Sequence, residues 1–160
     1  LQLVEEFNHY VVLADIFEHL MGRPISPDDT VQLSQEKKLG DLRRSYVETG
    51  DPLVKAAVGF TEGGGARLFR EGAKLTGSEV NEMTAKAMQV IFEDEEDHFM
   101  EQARGALGLI ESGDDLVRMT EAIRAISAQR VRMRAEMFPG AMTEAEIDAF
   151  IDANRRETAA

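Results

Sequence analysis

Two of the three histidines in this chain stand in the same local frame. Glu6-Phe7-Asn8-His9 and Glu95-Glu96-Asp97-His98 each place a glutamate three residues before a histidine. On a helix, residues three apart share a face about one turn apart. A carboxylate and an imidazole can then reach the same ion. The likeness extends one residue upstream, where Glu5 and Asp94 precede the motif glutamates. An acid at that place can accept a hydrogen bond from the unmetallated nitrogen of a ligand histidine on another helix, fixing its tautomer.

One Glu-x-x-His is a weak signal in a chain with 30 acidic residues, so the surroundings decide how it is read. The stretch IFEDEEDHFM crowds five acids and a histidine between Ile91-Phe92 and Phe99-Met100. A solvated face does not need those apolar flanks, and a core does not want the acids. His9 likewise lies between Phe7 and Tyr10. The plainer reading is a pair of hydrogen-bonded core histidines beside solvated acids. The sharper one is a metal site, because carboxylates gathered in an interior need a positive charge to offset them.

The elements that would position these residues are helical nearly throughout. Leu3, Phe7, Tyr10, Val11, Ala14, Phe17 and Met21 recur at steps of three or four, and Gly22-Arg23-Pro24 ends that helix. After a polar connection, Ser34 caps a helix running to about Thr49. The next helix runs from about Pro52 to Ala73, with Gly63, Gly64 and Gly65 in its middle. Thr76 and Glu79 form a capping box opening a long helix to about Leu109. Asp114 or Asp115 starts another, carrying Leu116, Met119, Ile123 and Ile126. Thr143 and Glu146 form a second capping box before Ile147, Phe150 and Ile151. With no alternating β-branched runs, the expectation is a single all-α domain over residues 1–160, a bundle core at 1–109 and a C-terminal helical extension at 110–160.

On these motifs the sequence resembles the ferritin-like di-iron carboxylate superfamily. That fold takes one glutamate from each of two bundle helices and a Glu-x-x-His from each of the other two. The resemblance implies a four-helix bundle with Glu6 and His9 as the first pair, residues 22–52 as the crossover, and Glu95 and His98 as the second pair. It makes Glu62, between Phe60 and Leu68, the lone glutamate ligand of the third helix. The plainer reading of Glu62 is an exposed helical glutamate. Three glycines beside it cost about 1 kcal/mol each relative to alanine in a helix. They leave room for dioxygen and substrate, let the helix bulge, or form a packing notch.

The bundle's first helix, with its single glutamate, has no match before Glu6. Glu18 lies twelve residues along the same helix, about 18 Å away at 1.5 Å per residue. Glu36 and Glu48 lack apolar framing. Because LQLVEEFNHY starts in helical pattern without a methionine, an upstream segment is the expected source of the missing helix. Failing that, the site has five ligands or is completed by another chain. The ligand set implied by the resemblance is therefore Glu6, His9, Glu62, Glu95 and His98, holding two iron ions, with manganese an alternative.

The remaining residues read as structure. His19, near a helix C-terminus, favours the dipole when charged. Arg67 and Arg70 suit surface ion pairing, and the methionines fall at core spacing. Composition sets limits. The formal net charge of -12 opposes nucleic-acid binding. No apolar run reaches the roughly 18 residues of a membrane span, and no signal peptide is expected from these residues. The lack of cysteine excludes disulfides and thiolate chemistry and suits the cytoplasm.

The resemblance implies redox chemistry with dioxygen or peroxide. The favoured expectation is an oxidase or oxygenase acting on a small or acyl-type organic substrate. An iron-handling or peroxide-reducing protein of the ferritin or rubrerythrin kind is the alternative, and a metal-free helical interaction domain is the third reading. The pattern also permits a homo-oligomer.

Overall fold

The computed structural model describes residues 2–61 and 66–157, the side chains of residues 2, 96–99 and 154–157 excepted. Among the described residues every regular element is helical: α1 Gln2–Met21, α2 Ser34–Glu48, α3 Pro52–Phe60, α4 Ala66–Gly72, α5 Glu79–Leu107, α6 Gly113–Met137 and α7 Glu144–Glu157. A 3-10 turn covers Pro27–Asp29. The all-α expectation holds.

The helix ends follow from local chemistry. α1 stops where Gly22 takes a φ of 67° and donates its N–H to the Glu18 carbonyl at 2.8 Å, a left-handed cap that glycine adopts without strain. Just beyond, Arg23 forks onto both Asp29 oxygens at 2.7 and 2.6 Å. Its guanidinium lies 5.4 Å from the Phe17 ring centroid, tying the departing chain back to α1. Arg23 and the Ser26 amide hold the Asp29 carboxyl well below the usual carboxylate range.

Two expected caps are replaced by others. Ser34 is the first helical residue of α2 instead of its cap. Glu136 of α6 takes over, accepting from the Ser34 amide at 3.2 Å, the Ser34 hydroxyl at 2.8 Å and the Gln35 amide at 2.7 Å. At α5, Ser78 accepts from the Asn81 amide at 3.1 Å, standing where the Thr76–Glu79 box was expected. The α6 start lies slightly upstream of Asp114, with Ser112 accepting from the Asp115 amide at 3.2 Å. The Thr143–Glu146 box forms, the Thr143 amide donating to Glu146 at 2.8 Å and the Glu146 amide to Thr143 at 3.3 Å. The single helix expected over Pro52–Ala73 is described as α3 and α4, and the glycines between them lie outside the described residues.

The chain divides into two compact units: Leu1–Val31 with Glu62–Glu101, and Gln32–Thr61 with Gln102–Ala160. This grouping differs from an expected division near residue 109, because α2 and α3 pack on α6. In the second unit, Leu53, Ala57, Ala106, Met119 and Ala122 form one buried cluster, and Leu39, Val58 and Ile126 another. Ile147 and Ile151 of α7 are buried, and Asp148 joins α7 to Arg132 of α6 at 2.8 Å. The first unit holds α1, α4 and the greater part of α5.

Candidate metal centre

The site lies within the first unit, where α1 and α5 run antiparallel: His9 meets Asp94, and His19 stands 4.0 Å from Glu79. α5 presents Ala87 and Ile91 as buried residues. Asp94 and Glu95 follow one turn later on that face. The acids thus enter the site on the continuation of an apolar stripe, which accounts for Ile91 upstream of the acid run.

His9 is only 7% exposed. Its Nε2 lies 3.0 Å from Asp94 Oδ2, a hydrogen bond that the imidazole donates to the carboxylate. That assignment leaves the Nδ1 lone pair free, and it faces Glu6 Oε2 at 3.8 Å. The second distance is too long for a hydrogen bond. It suits two donors around one ion, since ligand atoms each about 2.1 Å from a metal stand at most roughly 4.2 Å apart. Glu6, His9 and Glu95 offer ligand atoms that all lie within 4.8 Å of one another, so a small side-chain adjustment would bring all three onto one ion. The donor set of two carboxylates and one imidazole fits iron or manganese.

Asp94 therefore occupies the place that sequence spacing reserved for a histidine-orienting acid, partnering a histidine on another helix. Of the five ligands implied by the resemblance, Glu6, His9 and Glu95 come together. Glu62 lies outside the described residues, as do the glycines that follow it. The backbone of α5 carries His98 one turn beyond Asp94, but the His98 side chain lies outside the description. Glu5, proposed to orient His98, is half-buried.

The ligand set is asymmetric in its exposure. His9 is sealed, Glu95 is half-buried, and the Glu6 side chain is 57% exposed. One carboxylate thus stands at the rim of the site. Arg70 lies 3.7 Å from Glu71, and Lys74 lies 2.8 Å from the same acid, so Arg70 belongs to a surface ion-pair group. Lys74 is the main cause of a depressed Glu71 carboxyl. Met119 is buried in the second unit and Met88 packs beside Gly72, whereas Met100 and Met137 are exposed. Among the described residues no helix is long and apolar enough to cross a membrane. None of the family models, curated proteins or solved structures compared with the chain matches it, so the site is read from its own geometry.

Proposed function

We propose that the first unit forms a di-iron, or mixed iron and manganese, carboxylate centre for oxygen- or peroxide-dependent redox chemistry, in a ferritin-like arrangement. The supporting observation is the orientation of His9: Asp94 engages Nε2, leaving Nδ1 directed at Glu6 with Glu95 in reach. An imidazole held in one tautomer by an anionic partner is a stronger and better-aimed donor than a free one. Glu6, His9 and Glu95 would hold the metal. Glu62 and His98 are the further donors that the ferritin-like arrangement would supply within one chain. Bound iron would provide the electrons that reduce dioxygen or peroxide.

The favoured activity is oxidation or oxygenation of a small or acyl-type organic molecule. A second reading, iron handling or peroxide reduction of the ferritin or rubrerythrin kind, draws support from the exposed Glu6 carboxylate, which suits ion entry and release. Oxygen uptake separates the two. An oxygenase sustains uptake with substrate and reductant, whereas iron handling gives one burst in proportion to added iron(II). The metal itself is tested by His9→Ala after anaerobic iron(II) loading. Bound iron should fall at least tenfold, and an unchanged content would remove the site.

A further inference from the structure

We propose that Glu6 is the entry ligand of the metal centre, capturing the cation in water before His9 and Glu95 close on it, and that the charge of α1 and α5 draws the cation there. The inference rests on the metal reading of Glu6, His9 and Glu95. His9 offers its ion-binding nitrogen in one direction. Its ring is buried, and Asp94 closes the Nε2 side at 3.0 Å. The Nδ1 side faces Glu6 Oε2 at 3.8 Å, and that carboxylate is the exposed member of the set. A cation bound for Nδ1 therefore passes Glu6. Stripping an ion of its water in a single step carries a large desolvation penalty. An exposed carboxylate lowers that barrier, because it replaces one water while the rest of the shell stays in solvent. His9 and the half-buried Glu95 replace further waters as the ion moves inward. The order of loading follows the order of exposure.

The field around the site favours the same route. α1 carries Glu5, Glu6, Asp15 and Glu18 and no lysine or arginine. Between Glu79 and Glu101, α5 holds eight acids, with Lys86 as the sole lysine or arginine. Elsewhere in the unit, Asp29 holds Arg23, and Glu71 holds both Arg70 and Lys74. Acids and bases nearly balance in the second unit, so almost all of the -12 charge belongs to the unit that carries the site. A concentration of one sign raises the local population of counter-ions and speeds their association, an effect that salt screens. Charge then sets how fast the ion arrives, and the buried donors set how long it stays.

Stopped-flow mixing of the full chain with manganese(II), read by a fluorescent indicator of free metal, gives the association rate, and an EDTA chase gives release. Raising salt from about 0.01 to about 0.15 M shortens the Debye length from about 30 to about 8 Å. Association should then slow at least fivefold while release changes less than twofold. Glu6→Gln should slow association about tenfold. Glu6→Asp, which keeps the exposed charge, should associate near the wild-type rate and release faster. Glu95→Gln should associate within twofold of the wild type and release at least tenfold faster. Asp15→Asn combined with Glu18→Gln, at exposed positions nine and twelve residues along α1 from Glu6, should slow association at low salt and leave release unchanged. Association that ignores salt overturns the steering. A Glu6→Gln chain that only releases faster overturns the entry role, as does Glu6→Asp loading as slowly as Glu6→Gln. Each of these results leaves the metal reading intact. A chain that binds no manganese overturns the metal reading, and this inference with it.

Discussion

Asp94→Ala separates the structural and functional sides of the site, because Asp94 is proposed to orient a ligand without being one. The substitution removes the acceptor of the His9 Nε2 hydrogen bond, made at 3.0 Å by an imidazole only 7% exposed. Asp94 is itself 29% exposed, so water can partly take its place. In the metal-free chain the expected loss is then the net worth of one hydrogen bond, about 1 kcal/mol. In urea, with a denaturant slope near 2 kcal/mol per molar, the midpoint should fall by roughly 0.5 M. Manganese(II) titration by calorimetry should show affinity reduced by about 10–100-fold, the usual effect of losing a ligand's supporting partner. Asp94→Asn provides the control. Its amide oxygen can still accept from Nε2, so the urea midpoint should stay near that of the wild type. Affinity should nevertheless drop, because the imidazole loses its anionic partner. If alanine and asparagine leave both quantities at wild-type values, the orientation argument for His9 is refuted.

Two further outcomes concern the second unit. Gly59→Ala in α3 would place a Cβ 2.6 Å from Gln102 Oε1, the far end of a flexible side chain that can swing aside. The gain in helix propensity should then prevail, stabilising the chain by up to about 1 kcal/mol, and a lower urea midpoint would contradict this. Acid should weaken the caps on α2 and α7: the Gln35 amide depresses the Glu136 carboxyl and the Thr143 amide depresses Glu146. Their folded values lie below the ordinary glutamate value of about 4.3, so this stability is present above that pH and lost as pH falls through the folded values. Thermal scans should be flat in this respect from neutral pH down to about 5 and decline below it, the decline shrinking in Glu136→Gln.

Elements whose ends are set by neighbours in the chain were legible in the sequence. Gly22 stops α1, and Thr143 with Glu146 starts α7, through hydrogen bonds spanning four residues or fewer. The α2 start was not, because its cap comes from Glu136, 102 residues away from Ser34. Nor does an apolar stripe declare its partner. Leu53 and Ala57 stand four apart, a helical spacing that holds whatever they pack on, and only the fold assigns them to a cluster that α6 shares. The site was legible for a particular reason. Glu6 and His9 stand three apart, a spacing that already implies a common face, and Asp94 and Glu95 follow Ile91 by three and four residues. That His9 would meet Asp94 across 85 positions rested on the parallel between the two motifs.

The division into two units has a practical consequence for dissecting this protein. Each unit is woven from two separate stretches, and the boundary falls inside α5, between Glu101 and Gln102. The chain passes from one unit to the other three times. No single cut isolates either unit. Deleting the first 31 residues strips α1 from the face of α5 that carries Ile91, and stopping at residue 101 removes α6, on which α2 and α3 rest. A minimal metal-binding fragment would instead need residues 1–31 and 62–101 joined by a new linker, with the helices of the second unit left out.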